Sequence, residues 1–403
     1  MRIRPVLAAT LLSVLAVGTL SGCHSAASSD ASDAPSFVDA APSSDLSSSS
    51  GSSAQPSVSA PGSAPASAKP APSRSVAPKT LPKPGNPNGH ASVPAAARAV
   101  DTSKPTRKVG TGTAASCTSA AVVKAVAAGG IITFDCGPVP VTITMTATAK
   151  VRNTVSQVVL DGGGRVTLDG AGKRRILYQN VCDSRQGNAG GSCIDSDTPR
   201  LTVQNMAFKN GNSTGESFEG NAGGGAIFAY GGGLKVINSR FTGNKCDRTG
   251  PDLGGGAIRI SYQGGDNTAY VAGSTFTGGT CSNGAALSSL HARWMVLNSV
   301  LSGNTAVGNG ANPARAGTPG GGSGGGIYMD GEEIKLTVDG TVIEKNHAKE
   351  GGGAIFFVSN NKTGTVTIRN SKVRNNPSDT FENFPGMFYI GKGNPVITNS
   401  TMG

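Results

Sequence analysis

Three consecutive glycines followed by Ala-Ile stand at 223 to 227, 254 to 258 and 351 to 355, with looser copies at Gly324-Gly325-Gly326-Ile327 and Gly284-Ala285-Ala286-Leu287. A chain so often interrupted by glycine cannot form long helices, because each interior glycine costs about 1 kcal/mol against alanine. After each copy comes a short apolar-alternating run, and then a second phrase. Its copies are Asn238-Ser-Arg-Phe241-Thr-Gly-Asn244, Asn298-Ser-Val-Leu301-Ser-Gly-Asn304, Thr341-Val-Ile343-Glu-Lys-Asn346 and Asn370-Ser-Lys-Val373-Arg-Asn-Asn376. One supersecondary unit is being stacked. Taking Phe208, Phe241, Phe276, Leu301, Ile343 and Val373 as equivalent anchors, the spacing varies from about 25 to 42 residues, which predicts rungs of constant cross-section carrying loops of variable size. The largest loop is expected from Val307 to Ser323.

A run such as Ala354-Ile355-Phe356-Phe357-Val358 reads as a strand, yet no hairpin partner follows within a few residues. Its backbone hydrogen bonds must therefore go to equivalent strands one coil above and below. The expected fold is all-β, a right-handed parallel β-helix spanning 109–403. Glycine permits the tight corners, and asparagine at a fixed offset suits left-handed turns and stacks into ladders. Thr118 or Ser119 can cap a short helix over Ala120 to Ala128, stopped by Gly129-Gly130, whose Val122, Val123 and Val126 share a face. Strands over Ile131 to Phe134 and Val141 to Met145 follow, so this helix is expected to close the open end of the stack.

The first part of the chain is of another kind. Arg2 and Arg4 precede an apolar stretch from Val6 to Leu20, the length of a secretory leader rather than of a membrane span. It ends Leu20-Ser21-Gly22-Cys23, which resembles the lipobox of bacterial lipoproteins. That resemblance implies 1–23 as signal peptide, a diacylated Cys23, and an extracytoplasmic protein lipid-anchored to the outer face of a bacterial cell membrane. Residues 24–108, rich in Ser, Ala and Pro and poor in large apolar side chains, read as a disordered linker that extends roughly 260 Å at about 3.1 Å per residue. The remaining cysteines, Cys117, Cys136, Cys182, Cys193, Cys246 and Cys281, form an even set outside the cytoplasm and imply three disulfides. Chain order pairs them consecutively, although sequence leaves the connectivity open. No zinc-ligand spacing is present.

The glycine and asparagine phrases resemble the Gly-Gly-Ala-Ile and Phe-x-x-Asn repeats of polymorphic outer membrane proteins, and more broadly right-handed β-helix proteins of the pectate-lyase fold, over roughly Val158 to Gly403. The first resemblance implies a non-catalytic adhesin or cell-surface interaction protein. The chain ends inside repeat-like sequence rather than in a membrane barrel, so it is not expected to be an autotransporter. The second implies a polysaccharide lyase or glycoside hydrolase, whose Gly-His-Gly, Asp-Asp, Asn-Thr-Asp and Arg-x-Pro-x-x-Arg signatures are missing here.

Period-two alternation with Ile227, Ile258, Leu287, Ile327 and Ile355 inward turns Phe228, Arg259, Ser288, Tyr328 and Phe356 outward on successive rungs about 4.8 Å apart. Two readings follow. Open to solvent, Phe228, Arg259, Tyr262, Tyr328 and Phe356 would stack sugar rings and pair an acidic group. Covered by the long loops, the same side chains would form a satellite core. Tyr230, Tyr262, His291 and Asp330 fall further along, near one edge. His291 is the only imidazole placed for proton abstraction, with Arg259 neutralising a uronate. Asp330 with Glu332 or Glu333 is the carboxylate pair to consider for hydrolysis. Asp183, Asp195 and Asp197 crowd one cysteine loop as oxygen ligands that calcium would want, set against a plain polar loop; no cofactor or other metal is called for. Gly321-Gly-Ser323-Gly-Gly325 matches a nucleophile elbow by letter but has no following helix. Lys173-Arg174-Arg175 lacks aromatic interleaving, so no nucleic-acid partner is expected. The formal charge of +11 favours acidic partners such as uronate polysaccharides or anionic wall polymers, or reflects solubility alone. The expectation is a surface lipoprotein whose β-helix binds extracellular polysaccharide. Cleavage of that polymer and a purely adhesive role both stay open.

Overall fold

The apolar anchors lie one above another. Phe208, Phe241, Phe276, Leu301, Ile343 and Val373 are direct partners in successive parallel strands. Ile227, Ile258, Leu287, Ile327 and Ile355 form a second column, which Met387 extends by one rung. The computed structural model describes residues 80–187, 192–263 and 267–403. Among them, parallel sheets of 17, 8 and 3 strands wind into a β-solenoid, a parallel β-helix. Both columns belong to one continuous buried core. The first three anchors stack as rings, with centroids 4.9 and 4.6 Å apart and planes within 10°, an offset stacking that adds to their area burial.

The second phrase owes its constancy to two polar ladders. In the first, the backbone N–H of Ser239 donates to Ser274 Oγ at 3.1 Å, and the same contact repeats from Ser274 to Ser299, Ser299 to Thr341, Thr341 to Ser371 and Ser371 to Ser400. In the second, Asn304 Nδ2 donates to Asn346 Oδ1 at 2.8 Å, and Asn346 Nδ2 to Asn376 Oδ1 at 2.9 Å. Buried corner amides are thus satisfied by side chains of the next rung, which is why the phrase keeps its polar residues. Asn205, Asn238, Asn298, Asn370 and Asn399 hold left-handed φ near 50° at the turn before it, a conformation that asparagine tolerates better than most residues.

The helix runs Ser119–Ala128. Thr118 Oγ1 accepts from the Ala121 N–H at 3.2 Å, and Gly129 ends the helix at φ 71°. Val122 and Val126 are buried against the first strands, with Val123 partly buried beside them. Disulfides join Cys117 to Cys136, Cys182 to Cys193 and Cys246 to Cys281. The last pair ties successive coils, because Lys245 bridges Thr280 in the adjacent rung. Three disulfides fit an extracytoplasmic protein. The leader, Cys23 and linker residues 24–79 lie outside the described residues.

Residues 80–108 correct the expectation that folding begins at Val109. They run as a strap across the outside of the large sheet. The Leu81 N–H donates to Gly164 O at 2.7 Å, Gly85 N–H to Thr275 Oγ1 at 2.8 Å, and Asn86 N–H to Asn298 O at 2.8 Å. Asn298 then grips the strap through its amide: Oδ1 accepts from Ala91 N–H at 2.8 Å, and Nδ2 donates to Ala91 O at 2.9 Å. Gln204 does the same with Val100, at 2.9 Å both ways. Ala97, with Ala91 and Val93, covers a small apolar patch of Ile237, Ala272 and Leu297. A segment with few apolar side chains is ordered because the side-chain amides of Asn298 and Gln204 each offer it both a donor and an acceptor.

Two outcomes follow. Asn346→Ala removes four hydrogen bonds from a fully buried position and is expected to lower the free energy of urea unfolding by about 2–4 kcal/mol, whereas Asn238→Gly at a turn should change it by less than about 0.5 kcal/mol. Asn298→Gly keeps the left-handed turn but removes the clamp on Ala91. Amide hydrogen exchange over residues 85–98 should accelerate in that variant and stay unchanged in Asn370→Gly.

Candidate functional site

On the outer face of the 8-stranded sheet, Tyr178, Phe228, Arg259, Ser288, Tyr328, Phe356 and Phe388 stand in register in one column. The alternation therefore places side chains as expected, but not their accessibility. Phe228, Arg259, Tyr328 and Phe356 are 1, 0, 0 and 2% exposed. The loops between coils fold back over them, so an open ladder of rings does not exist. Arg259 illustrates the reason. Its guanidinium donates to Ser288 Oγ at 2.6 Å and to the Asp252 carbonyl at 2.7 Å, and it is spent on tying the 250–253 segment to the sheet. At the other end Arg175, the last of the three basic residues from Lys173, is buried 4.9 Å from the Phe228 ring and paired with Glu216 at 2.8 Å.

The longest loop is held down by one carboxylate. Glu350 is 1% exposed. It accepts from the Gly310 N–H at 2.7 Å, from Arg315 in a two-point contact at 2.7 Å each, and from Thr380 Oγ1 at 3.0 Å. Burial alone would raise its pKa. Arg315 and these donors outweigh burial and hold it below the usual glutamate value. The loop thereby carries Asn312 over the sheet, where its Nδ2 lies 2.7 Å from the Tyr328 hydroxyl, 2.8 Å from Asp330 Oδ2 and 2.8 Å from Asp252 Oδ1.

Beside this cover the face opens. A cleft of about 570 Å³ is floored by Phe356, Phe388, Leu290, Val358 and Ile390 and walled by Phe381 and Pro313, with Asp252, Asp330, Asn312, Asn360 and His291 around it. Phe381 stands edge-on to Phe388 at 4.8 Å. Asp330 is the buried acid here. Its Oδ2 accepts from the Tyr328 hydroxyl at 3.1 Å and its Oδ1 from Asn360 Nδ2 at 3.2 Å. Burial first, and Asp252 after the hydrogen bond from Tyr328, decide its titration, and the balance lies above the ordinary aspartate value. Both carboxylates meet one amide nitrogen at 2.8 Å, so their nearest oxygens are at most about 5.6 Å apart with the Asn312 amide between them.

A second cleft, of about 340 Å³, continues at the sheet edge and is lined by Tyr262, Gln263, Asn267, His291, Arg293, Asp195, Glu332 and Glu333. Tyr262 and His291 occupy the same left-handed turn position on successive rungs, φ 51° and 49°, so their rings stack at 4.8 Å. The Glu332 N–H donates to His291 Nδ1 at 3.3 Å, which leaves the neutral ring its proton on Nε2. His291 lines both clefts. It does not share one of them with the guanidinium of Arg259, so the arrangement expected of a proton-abstracting lyase is not assembled. Glu332 and Glu333 belong to the second cleft, not to a pair with Asp330. Asp183 is buried and spent on Arg185 and Tyr178, at 2.8 and 3.0 Å, Asp195 lines the second cleft, and Asp197 accepts from Asn267 at 2.6 Å. Among the described residues no three acidic, histidine or cysteine groups converge to hold a metal ion.

Asp252, Asn312, Phe381 and Phe388 were not legible as site residues. Phe388 sits on a rung that lacks the glycine phrase, and the others reach the site from loops. No protein-family model matches this chain, and neither does a curated protein or a solved structure. The fold and the two clefts therefore define its class, a disulfide-bonded parallel β-helix with an acidic, aromatic-floored groove on one sheet.

The buried acid has a measurable signature. A carboxyl whose folded pKa lies above the unfolded value binds more protons in the folded state between the two, so its charge destabilises the fold as pH rises through that window. The stability of the wild-type chain relative to Asp330→Asn is expected to increase as pH falls from about 7 toward about 4, followed by urea unfolding. A pH-independent difference would show that its surroundings do not raise the pKa of Asp330.

Proposed function

We propose that this chain is a cell-surface lipoprotein, anchored through Cys23 and spaced from the membrane by its Ser/Ala/Pro segment, whose β-helix binds extracellular polysaccharide along the groove formed by the two clefts. The observation that carries the reading is the floor of the larger cleft. Phe388 and Phe381, partly exposed and edge-on to each other, with the buried Phe356 stacked on Phe388, line the cleft together with the carboxylates of Asp330 and Asp252 and the amides of Asn312 and Asn360. Flat apolar rings beside carboxylates and amides suit the apolar face and the hydroxyls of a sugar ring. Three disulfides agree with an extracytoplasmic setting.

Two continuations separate at the acid pair. A hydrolase needs one carboxyl kept protonated and a second ionised across the scissile bond, and this reading gives the first role to the buried Asp330, whose pKa lies above the ordinary aspartate value. The adhesin reading, which follows the repeat resemblance, is favoured by the covering of Phe228, Arg259 and Tyr328, since a scaffold of covered rungs presents shape rather than a long catalytic groove. Incubating the full chain with acidic, neutral and amino polysaccharides, while following reducing ends and the ultraviolet absorbance of unsaturated product, decides between them. Reducing ends without absorbance, lost in Asp330→Asn, support a hydrolase. Both signals together mark a lyase. Pull-down of a polysaccharide without either signal, weakened at least about tenfold by Phe388→Ala, supports a binding protein. Absence of both binding and cleavage overturns the polysaccharide reading and leaves the adhesin.

A further inference from the structure

The loop between Val307 and Ser323 is a single unit on a narrow base. Its two ends are pinned to one point, since the N–H groups of Gly308 and Gly322 both donate to the Ser282 carbonyl, at 3.2 and 2.9 Å. Beyond this base, Asn309 pairs with Gly320 and Ala311 with Gly321 in antiparallel bridges, which makes 309–321 a short hairpin. Gly321 and Gly322, at φ 88° and 104°, form one side of the base in backbone conformations open to glycine without steric cost.

What holds the hairpin down is polar. None of residues 309–321 belongs to an apolar cluster, and Pro313, Ala314, Arg315, Ala316 and Pro319 are exposed. Apart from the Gly250 N–H, which donates to the Gly320 carbonyl at 3.1 Å, two clasps fasten it. Glu350 grips Arg315 and the Gly310 N–H, and Asn312 reaches the sheet. Segments with so few buried apolar contacts open at the least cost in a folded chain.

The Asn312 clasp occupies the inner end of the larger cleft, which Asn312 itself lines. The rings of Phe388, Phe356 and Tyr328 stack in succession toward it, with centroids 5.3 and 4.9 Å apart. The Tyr328 hydroxyl, Asp330 Oδ2 and Asp252 Oδ1 then surround its one nitrogen at 2.7, 2.8 and 2.8 Å. A primary amide nitrogen carries two hydrogens, so one of the three contacts goes without. Separate hydroxyls on a sugar ring bring a donor to each oxygen.

We propose that the 309–321 hairpin is a lid on the larger cleft and that Asn312 is the group a bound sugar displaces, its hydroxyls donating to Asp252, Asp330 and the Tyr328 oxygen once the amide has left. This rests on the polysaccharide reading and adds how its site is gated. Closure weakens binding, because only the open fraction takes ligand. Loosening either clasp therefore tightens it.

The test uses the full chain with Arg315→Ala and Asn312→Ala, each checked by thermal unfolding for an intact fold. Amide hydrogen exchange across 309–321 is expected to quicken at least about tenfold in Arg315→Ala and to stay unchanged in the strand Ile327–Gly331 beneath. Exchange that rises in both segments together, or in neither, overturns the lid. Calorimetry then follows three probes, β-1,4-linked hexamers of glucose and of N-acetylglucosamine, and polygalacturonate. At least one is expected to bind both variants about three- to tenfold more tightly than the wild-type chain. Equal or weaker binding by the variants overturns the lid, makes Asn312 part of the binding surface and leaves the polysaccharide reading standing. Failure of every probe to bind any of the three proteins overturns the polysaccharide reading, and the exchange result alone then decides the lid.

Discussion

Everything in this molecule depends on each rung having the rung above it. A strand of five residues with no hairpin partner is worthless alone, because its N–H and C=O groups must be paired outside its own coil. Stacking pairs them and also aligns side chains, so identical positions meet. Rings fall on rings at Phe208, Phe241 and Phe276, hydroxyls meet backbone amides from Ser239 to Ser400, and asparagine meets asparagine from Asn304 to Asn376. The repeat is thus a consequence of geometry, and a residue type persists along a column when its own kind is the best neighbour.

The same constraint explains what was legible in the sequence. Positions whose neighbours are the previous and next rung could be read, because the rule linking them is a fixed register. The anchor column from Phe208 to Val373, the inward isoleucines and the left-handed asparagines all belong to this kind. Accessibility could not be read. Whether Tyr328 faces water depends on where Asn312 lands, and that depends on Glu350 gripping Arg315 and the Gly310 amide. Contacts between a loop and a sheet several rungs away carry no period. Asp252 escaped notice for that reason, and so did the strap, whose order comes from Asn298 and Gln204 rather than from any apolar content of its own.

Loop length, in this architecture, decides between core and site. Where a loop folds back over the sheet, the outward column becomes a second interior, as at Phe228 and Tyr230 beneath Phe218. Where the cover stops, the same column lines a cleft, as at Phe388. A site can therefore move along the solenoid by shortening one loop and lengthening another, with no change to the rungs. The price is paid in polar groups: each covering loop must be pinned by a buried ion or amide, and Glu350, Arg259 and Arg175 do that work rather than meeting a ligand.

Charge obeys the same division. The buried arginines of this basic chain serve its fold, because a guanidinium with five donors is the side chain best able to hold several loop carbonyls at once. Arg175 reaches the carbonyls of Gly223 and Gly224 together with Glu216, and Arg259 reaches the carbonyl of Asp252. With Arg175 and Arg259 so occupied under the loops, the two clefts beside them are lined by the carboxylates of Asp195, Asp252, Asp330, Glu332 and Glu333 against Arg293 and His291. Net charge governs how the molecule approaches a surface through long-range attraction that salt screens. Carboxylates in a half-enclosed cleft act only on what enters it, and partial burial weakens the screening there.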